Sequence, residues 1–141
     1  MLREAQVLDL KKIQLKEDYN MDLIHYRQLA QLFDYPDAGY IEKIEQVQEY
    51  LDENYPEAGL ELTEFTRCLP SMNLNEMEEL FTRSFDVQSV TTLDIGYVLF
   101  GDDYKRGQML VNLNREHRET KNDCFNELAD HLPNVLRLLP N

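Results

Sequence analysis

Three histidines, His25, His117 and His131, and two cysteines, Cys68 and Cys124, are the side chains in this 141-residue chain with the widest chemical range. An imidazole can move protons or bind a metal, and a thiolate can attack or ligate, but each needs a partner at a defined spacing. The cysteines lie far apart, with no second Cys at metal-ligand spacing, so the pattern predicts two reduced thiols instead of a zinc site or disulfide. His25 borders an apolar helical stripe and is expected to be partly buried and hydrogen-bonded. His117 stands among Arg115, Glu116, Arg118 and Glu119 and is expected at the surface. His131 follows Asp130 and precedes Pro133; here Asp130 reads as a helix N-cap and Pro133 as a first-turn residue.

The remaining chemical signatures point away from catalysis. There is no phosphate-cradling glycine loop, no G-x-S-x-G turn and no C-x-x-C pair. Gly101, Asp102, Arg106 and Gly107 supply a tight turn, a helix cap and a guanidinium able to hold a carboxylate on two nitrogens. Phe85 and Asp86 read as a core aromatic followed by a turn-forming carboxylate. No catalytic residue, metal or cofactor is expected, and a binding protein is the better class.

The elements that must position these residues form one domain, a size that can bury a core without cross-links. Fourteen Lys and Arg stand against 27 Asp and Glu, a formal net charge of −13. That charge repels phosphate backbones and anionic lipid, which argues against nucleic acid and bare membrane as partners, whereas a basic polypeptide segment is attracted. The first twenty residues scatter charges through every turn, unlike a signal peptide, and no stretch reaches spanning length; the expectation is a cytoplasmic protein.

Apolar spacing predicts helices throughout. A stripe over 19–35 ends at Pro36, and a second over 38–54 carries Tyr40, Ile41, Ile44, Val47, Gln48 and Leu51, with Pro56 and Gly59 punctuating its end. Leu62, Phe65 and Leu69 mark a third that stops before Pro70. Asn73 or Asn75 caps a fourth with Met77, Leu80, Phe81 and Phe85 inward. Residues 90–100 are rich in β-branched types, yet helix is expected because a lone strand could not satisfy its backbone groups. Gly101 and Asp102 break and cap a helix over 103–120, and Asp130 opens the last. The fold expected is an all-α, single-domain helical bundle over 19–141, preceded by a loosely ordered extension, 1–18.

Three blocks in the C-terminal half occur in a telling order: FTRSFD at 81–86, LFGDDYKRGQMLV at 99–111 and ELADHLPNVLRLL at 127–139; FDYPD at 33–37 precedes them. Together they resemble the NarJ branch of the TorD-like helical chaperones. The resemblance implies a non-catalytic protein that grips the N-terminal segment of a molybdopterin-dependent reductase, of the nitrate reductase kind, holding it for molybdenum cofactor insertion and assembly. It places Asp130, His131, Glu127 and Pro133 in the peptide-binding region, with Phe85, Asp86, Tyr97 and Arg106 beside it. Ala129 stands where the family usually has proline, and Leu93-Asp94-Ile95-Gly96 replaces a more aromatic stretch, which points to altered peptide specificity. The last block falls just before Asn141, where family members continue through further helices. Absence of those helices would leave apolar surface open to homodimer formation or to exchange of a helix between protomers. The competing expectation is an acidic helical adaptor that binds a folded partner protein.

Overall fold

Residues 23–87 and 91–141 are described by the computed structural model. Helix α1, His25–Ala30, tightens into a 3-10 turn, Gln31–Phe33, and gives way to extended backbone at Asp34, two residues before Pro36. The expected extension, 1–18, lies outside the described residues, as do 19–22 of the first expected helix. Helix α2, Tyr40–Asn54, buries Tyr40, Ile44, Val47 and Leu51, the inward positions of its 3.6-residue period.

Pro56 and Gly59 do not merely punctuate α2 as expected; they begin the next helix, α3, Pro56–Cys68. Proline suits a first turn because its missing N–H has no intrahelical acceptor there. Gly59 is buried where α3 crosses α2: a Cβ would lie 2.2 Å from Asp52 Oδ1 and 3.2 Å from the Asp52 backbone nitrogen. The hairpin is then pinned by Gln48, whose Nε2 donates to the Gly59 carbonyl (2.8 Å) and whose Oε1 accepts from Thr66 Oγ1 (2.8 Å). As expected, the α-helix stops before Pro70, at Cys68; a 3-10 turn, Leu69–Ser71, follows it, since a proline φ near −65° suits that geometry.

Asn73 caps α4, Leu74–Phe85, in a reciprocal box: its side chain accepts from Glu76 N (3.0 Å) and Glu76 Oε2 accepts from Asn73 N (2.8 Å). Met77 then reaches the core of Tyr40, Ile44 and Leu69, with Leu32, Ile41, Phe65 and Met72 packed around it.

Of the helix expected over 90–100, position 90 lies outside the described residues and 91–94 are not helical, so α5 is Ile95–Phe100; Asp94 pairs instead with His131 in an isolated antiparallel bridge. Gly101, at φ +57°, turns the chain. Asp103, not Asp102, caps α6, Tyr104–Thr120, its carboxylate accepting from Lys105 N (2.9 Å). Helix α7, Leu132–Leu138, has Pro133 in its first turn and His131, not Asp130, at the N-cap position. Helix α7 packs on α1, and the Arg137–Asp34 ion pair ties it to the segment leading into α2.

The described residues thus form an all-α bundle of seven α-helices, in which α2 and α3 make a hairpin, α5 and α7 pack on α6, and α7 packs on α1. Among them no helix is long and apolar enough to cross a membrane.

Two outcomes test this packing. Gly59→Val forces side-chain atoms into the Asp52 backbone and should cost about 1–3 kcal/mol in urea unfolding. Burial, aided by the nearby Asp34 charge, pushes the Tyr40 phenol up to about 12, and its hydroxyl donates to the Leu32 carbonyl (2.9 Å). The folded state therefore resists ionisation while the unfolded chain ionises near pH 10. Stability should be intact below that value and fall as pH climbs toward 12, by about 1.4 kcal/mol per pH unit at most from this group. Melts of wild type and Tyr40→Phe across this range should differ by that slope.

Candidate functional site

The local backbone around Asp130 is built by two loops meeting. Ile95 N donates to the Asp130 carbonyl (3.0 Å) and Leu132 N to the Leu93 carbonyl (2.8 Å), which lays the segment before α7 alongside the segment before α5. This turns the Asp130 side chain inward, where it is fully buried. A carboxylate so placed must be satisfied on both oxygens. Oδ2 accepts from Gly96 N (3.0 Å) and Arg106 Nε (3.0 Å), and Oδ1 faces Arg106 Nη2 at 3.4 Å. Gly96 is required, since a Cβ there would lie 2.5 Å from Asp130 Oδ2 and 3.0 Å from Arg106 Cγ.

The guanidinium of Arg106 also reaches Asp94 Oδ2 (3.3 Å) and lies 5.7 Å from the centre of the Tyr97 ring. The Asp130 hydrogen bond, more than the Asp94 charge, holds its pKa above the ordinary arginine value. His131 Nδ1 sits 3.6 Å from Asp94 Oδ1 and 3.9 Å from Glu127 Oε2. Six of the eight residues expected in the peptide-binding region therefore come together: Asp130, Arg106 and Tyr97 in contact, His131 and Glu127 at the outer edge, and Pro133 buried in the first turn of α7. Asp130 and Pro133 offer no surface to a ligand. Tyr97 and Glu127 are exposed, and His131 is half-buried.

A second polar knot, unanticipated from sequence, braces the first. His117 is only 3% exposed, contrary to the surface position expected from its charged neighbours. Those neighbours point outward while position 117 falls on the inner face of α6 with Leu113 and Leu110. Its Nε2–H donates to the Ala129 carbonyl (2.9 Å), and its Nδ1 accepts from Asn122 Nδ2 (3.0 Å), an arrangement that suits a neutral ring. Buried Asn134 donates to the Leu128 carbonyl (3.1 Å). Both knots fasten the strip 128–131. Gly96, Asp94, Asn122 and Asn134 carried no recognisable motif; a glycine within a β-branched run was the one available hint.

Phe85 belongs to a different place. With Phe33, Tyr40, Phe65, Met77, Leu80 and Phe81 it lines an apolar cleft of about 350 Å³ between α4 and the α2–α3 hairpin. Phe85 packs edge-on against Phe81 (5.0 Å between ring centres) and Phe33 (6.1 Å), and Tyr35 against Phe81 (5.3 Å). The two hydroxyls in the lining, of Tyr40 and Ser84, both donate to backbone carbonyls, so the cleft presents hydrocarbon and no group poised for proton transfer. Asp86 is exposed at the end of α4, beside Phe85. None of the six residues around Asp130 lines this cleft.

His25 is half-buried against the Tyr26 and Tyr55 rings. Cys68 is exposed, and burial pushes the Cys124 thiol up, assisted by Asp123. Among the described residues no three His, Cys, Asp or Glu side chains converge to hold a metal ion. No family model matches the chain, and no curated protein matches it significantly.

The Asp130 knot predicts a separation of stability effects. Asp130→Asn leaves an amide N–H facing Arg106 and should cost about 3 kcal/mol, as breaking a buried pair does. Glu127→Gln, on an exposed side chain, should change unfolding free energy by no more than about 0.5 kcal/mol. Urea titrations of the two variants make the comparison.

Proposed function

We propose that this chain is a non-catalytic chaperone that holds the N-terminal segment of a molybdopterin-dependent reductase during cofactor insertion and assembly. The order of its three C-terminal blocks resembles NarJ-type chaperones, and that resemblance names the client class. The structural observation that carries a peptide-holding role is the apolar cleft between α4 and the α2–α3 hairpin, whose polar groups are already satisfied. An extended or helical segment gains by burying apolar side chains there, roughly 25 cal/mol for each Å² removed from water.

Charge supports the same reading. The helices that wall the cleft present Glu61 and Glu64 from α3 and Glu76 and Glu79 from α4 to solvent. A client segment with basic residues flanking its apolar ones is drawn toward this surface, and the attraction weakens with salt. In this reading the Asp130–His131 pair shapes the corner between α5, α6 and α7, and the cleft makes the contact. Client specificity then resides in Leu80, Phe81 and Phe85 more than in the D-H block.

The chain contains no tryptophan, so a tryptophan placed in a client peptide reports its own burial. Such a peptide, copying the N-terminus of the reductase catalytic subunit, should bind with a blue-shifted emission and with affinity that falls as salt is added. Leu80→Glu, at a position 42% exposed and so tolerant of change, should weaken binding at least tenfold, about 1.4 kcal/mol. His131→Ala should leave affinity within about twofold. The reverse pattern would move the peptide to the α7 corner, and absence of binding to any such peptide would defeat the chaperone reading.

A further inference from the structure

Helix α6 has two faces with different occupants. Its inner face, Arg106, Leu110, Leu113 and His117, packs within the chain. The opposite stripe, Tyr104, Gly107, Gln108, Val111 and Arg115, recurs at helical spacing and is exposed throughout. Tyr104 and Val111 are 72% and 68% exposed, and Val98 and Leu99 of the adjoining α5 are 67% and 61% exposed. Gly107 is the telling member. A glycine inside a helix costs about 1 kcal/mol relative to alanine. Nothing among the described residues requires it, because a Cβ at Gly107 would meet none of their atoms within 4 Å.

We propose that this face is the interface of a symmetric homodimer, in which two α6 helices cross antiparallel near Gly107 and Gln108. This goes beyond the chaperone reading and does not depend on it. The stripe is self-complementary in the sense that a two-fold contact demands. With the axis at Gln108, Tyr104 of each copy lies opposite Asn112 of the other. Asn112 and Gln108 are shared by two adjoining grooves, one walled by Gly107 and Val111 and the other by Leu99 and Met109. Gly107 lets the backbones approach at the crossing.

Charge has the same symmetry. The turn that leads into the stripe carries exposed Asp102, which makes no ion pair among the described residues, and the C-terminal end of the stripe carries Arg115, whose sole ion pair there is a 3.7 Å approach to its neighbour Glu116. Antiparallel pairing brings each Arg115 to Asp102 of the other copy, and also opposes the helix dipoles. A parallel arrangement would set like charges together. The face thus combines exposed apolar side chains with flanking polar ones, the composition of a stable interface.

Sedimentation velocity on the full chain, over a dilution series up to about 100 µM, tests the proposal. The expected result is a monomer–dimer equilibrium. Gly107→Trp should fold with unchanged helicity, given the open space at that position, yet sediment as a monomer. Arg115→Asp and Asp102→Arg should each weaken association at least tenfold, and combining them should restore it. A wild-type chain that stays monomeric throughout would overturn the proposal, as would a dimer that Gly107→Trp leaves intact or charge reversals that the combination fails to rescue. The Gly107→Trp monomer should still bind a dye-labelled client peptide, read by its anisotropy, so failure of dimerisation and failure of the chaperone reading are separately visible.

Discussion

The half of the bundle formed by α5, α6 and α7 depends on one buried ion pair. Asp130 has no contact with solvent, and both of its oxygens face donors from elsewhere in the chain. Burying a carboxylate is unfavourable by several kcal/mol unless charge and hydrogen bonds are returned in full. Arg106 returns the charge from α6, and the Gly96 amide contributes from the first turn of α5. Three elements distant in sequence must therefore meet in one geometry for the carboxylate to be tolerated. An apolar residue at 130 would pack in many ways; a carboxylate packs where its donors are. This pair consequently fixes how α5 and α7 sit on α6 more sharply than hydrophobic burial alone would.

The other half follows different physics. Around α2, α3 and α4 the interior is hydrocarbon and aromatic, and specificity comes from shape: Gly59 admits the close crossing of α3 on α2, and Met77 reaches from α4 into the hairpin. Packing between α4 and the hairpin is incomplete, which leaves the cleft. The two halves therefore differ in kind, a buried polar corner in one and an apolar cleft in the other. The corner has its charged groups already committed to one another, so it is suited to holding shape. The cleft, by contrast, is lined by hydrocarbon whose burial is favourable, which is the physical ground of the client contact proposed above.

Much of the helical plan is written locally. The stripe Tyr40, Ile44, Val47 and Leu51 has one amphipathic solution, and Asn73 with Glu76 marks a helix start through atoms three residues apart. Signals with two local meanings were less legible. Proline and glycine at 56 and 59 can end one helix or begin another, and the difference lies in whether a close crossing with Asp52 exists. The β-branched run before Phe100 became half loop and half helix because Asp94 found a bridge partner 37 positions away in His131. For the candidate site, Phe85 was identifiable as an apolar member of α4, but the cleft it lines needs three helices and two 3-10 turns to be in place.

Sequence by itself determined the helical class, most helix starts and stops and the strongly acidic surface, because periodicity, capping and net charge depend on neighbours or on composition. Only the tertiary structure decided the roles of Asp130 and His117. As a local signal Asp130 was a good helix cap, and His117 sat in a charged run. Each is instead buried, since its position on the chain turns it toward donors and acceptors supplied by remote segments. Whether a polar side chain caps a helix, meets solvent or locks a core is settled by the partners within about 3 Å. For a buried group those partners come from the fold.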